Sequence, residues 1–146
     1  MTRALDYANE ALHVAKKNNW HEGEMLAELA IGDCFPQVME YDTAIEHYKD
    51  ALKYAREFKR QDVEIKVLEQ LAEAYSRGGY FADNVRVKLQ LIALAKQIGD
   101  LGIEYKHLNY LAGAYLDMKV YDSAIYYYRQ CLDIGSGRFC KRCTER

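Results

Sequence analysis

The chain has 146 residues, of which half are hydrophobic and 29% charged, with a single proline and a formal net charge of −2. That is the length of one ordinary domain, able to bury roughly two thirds of its unfolded surface, and its apolar content excludes a disordered or Pro-rich linker. No apolar run approaches the roughly 20 residues that a membrane-spanning helix needs, and the near-neutral charge gives no electrostatic case for nucleic acid or an acidic membrane. The opening residues Met1 to Asp6 run into amphipathic sequence rather than a secretory signal. The expected setting is therefore cytoplasmic, with a cytoskeletal or nuclear association left open.

In chain order, the first apolar stripe is Leu5, Leu12 and Ala15, which sit on one helical face. Ile31, Gly32 and Phe35 follow on a second helix, and Ile45, Tyr48, Leu52 and Ala55 on a third. Leu68, Leu71, Ala72 and Tyr75 mark a fourth, which is matched by Leu108, Leu111, Ala112 and Tyr115 forty residues later. These spacings of 3, 4 and 7 describe buried helix stripes and not strands. Turn signals separate them at Asn18-Asn19, Arg77-Gly78-Gly79 and Gly99-Asp100.

The stripes repeat. Tyr41-Asp42-Thr43-Ala44-Ile45 returns as Tyr121-Asp122-Ser123-Ala124-Ile125, and half of that 80-residue interval aligns most of the chain. Leu5, Ile45, Val85 and Ile125 form one column, and Leu12, Leu52, Ile92 and Leu132 another. Ala15, Ala55, Ala95 and Gly135 form a third, and Val14, Tyr54, Leu94 and Ile134 a fourth. Each unit is thus a first helix and a second helix, the second starting near the Tyr-Asp pair, where Asp42, Asp122 and Asp83 are candidate caps. The Gly or Ala of the first helix (Gly32, Ala72, Ala112) lets the partner helix approach, and the ring one turn later fills the space beside it.

The pattern resembles the tetratricopeptide (TPR) repeat, most fully in Leu111, Ala112, Tyr115, Tyr121, Ala124 and Tyr128, and also in Gly32, Phe35, Tyr41, Ala44, Tyr48 and Ala51. The middle unit matches in Leu71, Ala72, Tyr75 and Gly79 but carries Asn84 and Lys88 where Ala and an aromatic belong. The 40-residue period is similar to that of LGN/Pins-type spindle-orientation scaffolds and kinesin light chains. The resemblance implies an all-α fold, a right-handed superhelical solenoid of antiparallel helix pairs. It divides the chain into a leading second helix at 1–18, repeats at 19–58, 59–98 and 99–135, and an off-pattern basic tail at 136–146. Since the pattern starts in a second helix and stops without a polar capping helix, the expectation is a fragment or isoform of a longer TPR protein. Apolar terminal faces predict self-association.

In TPR-like repeats the first helices line a concave groove that holds a protein or peptide. The groove candidates are Asp33 and Gln37, then Lys66, Glu69, Glu73 and Arg77, then Lys106, Asn109, Gly113 and Asp117. Their mixed charge suits a peptide carrying both signs, while Glu69 and Glu73 would repel the terminal carboxylate that chaperone-tail clamps take. The functional expectation is a non-enzymatic protein–protein interaction scaffold or adaptor. The alternative is a regulatory or targeting domain of a larger enzyme or motor.

No catalytic residue, cofactor or metal is expected. Cys140-Lys141-Arg142-Cys143 has CxxC spacing, but a structural zinc needs about four ligands and no second pair follows. Cys34 and Cys131 sit in helical apolar surroundings, as small hydrophobes do. His13, His21, His47 and His107 are scattered without metal spacing, and Gly78-Gly79 is a helix connection rather than a phosphate loop. Tyr126-Tyr127-Tyr128 could form a stacking platform for single-stranded nucleic acid, but there is no basic groove beside it. Glu22/Glu24 and Asp62/Glu64 suit first turns of helices, where the dipole favours carboxylates.

Overall fold

The computed structural model describes residues 2–35 and 40–138. Among the described residues the chain is all-α, with no strand. Helices α1 (Thr2–Lys17), α2 (His21–Cys34), α3 (Tyr41–Glu57) and α4 (Gln61–Arg77) are followed by α5 (Phe81–Ile98), α6 (Leu101–Asp117) and α7 (Tyr121–Asp133). A five-residue π turn, Ile134–Arg138, follows α7. The chain forms two compact units, Met1–Val87 and Lys88–Arg146, so α5 carries residues of both.

Five of the connections between consecutive helices, all but that from α2 to α3, use the same turn. Asn19, Lys59, Gly79, Gly99 and Lys119 all have φ between 52° and 79°. The residue after each sends its N–H back five positions, as from Trp20 to Ala15 and from Arg60 to Ala55. The left-handed residue itself bonds three positions back, as from Lys59 to Arg56. This double closure satisfies carbonyls that a helix end would otherwise leave open. At Gly79 the geometry favours glycine, and the contact that accompanies such caps is present: the Tyr75 and Tyr80 rings meet edge to face at 6.1 Å. Lys59 and Lys119 adopt the same conformation with a side chain, so these two turns carried no glycine signal.

In the first unit α1 packs on α2, α2 on α3 and α3 on α4. Ala44, Ala51 and Ala55 are fully buried together with Met25, Ile31 and Tyr48. Gly32 shows why its column is small: a β-carbon there would stand 2.5 Å from the Tyr48 ring. One turn later the Phe35 ring stacks on His47 at 5.6 Å. In the second unit α6 packs on α7 around Leu108, Leu111, Ala112 and Ala124, and Tyr115 stacks on Tyr127.

The expected aspartate caps are corrected. Asp42, Asp83 and Asp122 lie inside the first turns of their helices, and the residues before α3 and α7 are Glu40 and Val120, neither capping through its side chain. Tyr41 and Tyr121 are already helical, so Asp42 and Asp122 sit two residues past the cap positions. Asp42 instead accepts the Tyr80 hydroxyl at 2.5 Å, and Asp83 pairs with Arg86. The side-chain cap is Asp100, whose carboxylate accepts the Ile103 N–H at 3.0 Å. Glu22 and Glu24, like Asp62 and Glu64, do fall in first turns. Gln37, Cys140 and Cys143 lie outside the described residues.

The middle unit's departures still form a full second helix. Asn84 is buried in the alanine column with its Oδ1 unpartnered, and the Lys88 ammonium lies 4.8 Å from the Tyr110 ring centre, a cation–π geometry. A buried carbonyl oxygen without a donor costs about 1–3 kcal/mol. Asn84→Ala restores the column's residue and removes that cost, and alanine is also the better helix former. Thermal or denaturant melts should show the variant more stable than the parent by about 1 kcal/mol; an equal or lower midpoint would mean that the amide oxygen is satisfied.

Candidate functional site

The candidate groove residues fall on the first helices of both units. On α4, Lys66, Glu69, Glu73 and Arg77 follow one another at 3, 4 and 4 residues, so they share a face. Lys66, Glu73 and Arg77 are exposed and Glu69 half-buried. The Arg77 guanidinium donates to Glu73 at 2.6 Å, an exposed pair one turn apart, and such pairs add little stability. On α6, Lys106, Asn109 and Asp117 are exposed.

Two candidates are turned toward neighbouring helices. Asp33 accepts the Tyr48 hydroxyl at 2.8 Å across α2 and α3. Gly113 stands at the same repeat position, and a methyl added there would lie 3.9 Å from the Tyr128 hydroxyl. Both therefore serve the seam between first and second helix.

That seam in the first unit holds a polar cluster that periodicity did not reveal. Glu24 and Glu28, one turn apart on α2, are both buried. Glu24 accepts the Tyr54 hydroxyl at 2.9 Å and lies 3.4 Å from His21, while Glu28 meets the His47 ring nitrogen at 2.6 Å. Buried carboxylates are tolerable only when partnered, and α3 supplies both partners, His47 and Tyr54, two turns apart. Outside the seam, Arg60 bridges Glu22 of α2 and Asp62 of α4, and Arg56 pairs with Glu64 at 2.9 Å. Among the described residues no three His, Cys, Asp or Glu side chains gather so as to hold a metal ion.

The second unit carries an open groove of about 540 Å³, lined by Tyr105 and Asn109 of α6, by Tyr128, Cys131 and Leu132 of α7, and by Gly135 and Ser136 of the π turn. Burial pushes the Cys131 thiol above its usual value. The equivalent positions of the first unit are closed: Met25, Leu29, Tyr48, Ala51 and Leu52 are all buried, and α4 packs beside α3. Leu52 is 9% exposed and Leu132 67%. The same contrast separates Ile45 at 4% from Ile125 at 49%. The columns placed these residues in one class, but exposure depends on what covers them. Of the tyrosine triplet, Tyr126 is exposed, and Tyr127 and Tyr128 are half-buried.

No protein-family model matches the chain, and no curated protein matches it.

Tyr48 and Tyr54 make the seam sensitive to alkali. Burial first, then the Asp33 hydrogen bond, raises the Tyr48 hydroxyl far above the ordinary value of 10.0. The hydrogen bond to Glu24, with burial second, pushes Tyr54 up to about 12. A phenol with a raised folded pKa adds stability that is complete below the unfolded value and is lost as pH climbs through the folded one. Melts from neutral pH upward should therefore decline above about pH 10, and Tyr48→Phe with Tyr54→Phe should flatten that decline while lowering stability at pH 7. An unchanged alkaline slope in the double variant would place the titrating groups elsewhere.

Proposed function

We propose that this protein is a non-enzymatic, TPR-like interaction scaffold, whose first-helix faces hold a protein or peptide partner by shape and charge. The observation that carries the reading is the regular repeat of the helix pair. The first helices α2, α4 and α6 begin at His21, Leu101 and, midway, Gln61, and the second helices α3, α5 and α7 begin at Tyr41, Phe81 and Tyr121. Helix pairs recurring at a fixed sequence interval suit recognition of an extended or helical ligand without chemistry.

The recurring cations Lys66 and Lys106 stand forty residues apart on α4 and α6, both exposed. Glu73 and Arg77 add a fixed pair of opposite charges on α4. A partner with acidic and basic side chains in alternation would match these faces, and charge placement of this kind sets specificity and association rate more than bulk affinity. Among the described residues no helix is long and apolar enough to cross a membrane. The proposed setting is the cytoplasm, in a scaffold or adaptor role that includes the cytoskeleton.

The test is affinity capture from cell extract with the parent chain and with the variant carrying both Lys66→Glu and Lys106→Glu, read by mass spectrometry. Both lysines are exposed, so the variant should keep its helicity and melting temperature. Partners retained by the parent and lost at least tenfold by the variant support the α4 and α6 faces. The same partners held equally by both proteins would move the site to another surface.

A further inference from the structure

We draw no further inference here: the strongest candidate, the open groove of the second unit between Tyr105 of α6 and Leu132 of α7, carries nothing because nothing in the structure shows what covers it.

Discussion

A helix whose chain turns through one left-handed residue can direct its next two N–H groups onto its own last open carbonyls, and the polypeptide then leaves in the reverse direction. Asn19, Lys59, Gly79, Gly99 and Lys119 each make this turn. Where the turn joins α1 to α2, α3 to α4 and α6 to α7, the two helices pack on one another and their stripes meet. The chain accepts a strained residue at Lys59 and Lys119 for this, because losing the closure would expose carbonyls at two helix ends.

Within the first unit α2 and α3 meet in a seam that combines very small and very polar features. Gly32 admits the Tyr48 ring at a distance that no side chain would permit. The ring's hydroxyl then reaches Asp33, the next residue along α2. Glu24 and Glu28 would be unfavourable in an apolar seam, but Tyr54 and His47 meet them from α3. A seam built from such partnered groups specifies register more sharply than alanines and leucines alone, because a slip of one turn would strand both carboxylates away from water. The second unit uses a different solution, with Tyr115 stacked on Tyr127 and Gly113 beneath Tyr128.

The surfaces divide by chemistry. The α4 face is charged, with Lys66 exposed and Glu73 tied to Arg77. The α6–α7 groove is mainly apolar, with Leu132 about two thirds exposed. Charged faces exchange partners readily in water, whereas apolar ones gain most from being covered.

By itself the sequence determined the helical phase. Spacings of 3, 4 and 7 and the 40-residue columns located the helix stripes, and α3 and α7 begin at the tyrosines of the Tyr-Asp pairs, because amphipathic periodicity is a local property of the chain. The small-residue column was legible for the same reason, and Gly32 occupies it as expected. Only the tertiary structure decided which members of a column are covered. Leu52 and Leu132 share a column and differ by burial, Asp33 turns to Tyr48 instead of standing with the face of Lys66, and Asn84 is buried where its relatives are alanines. Burial is set by the helix lying across a residue, which comes from a distant part of the chain. A one-dimensional pattern records which way a side chain points, and the packing of helices determines what it meets there.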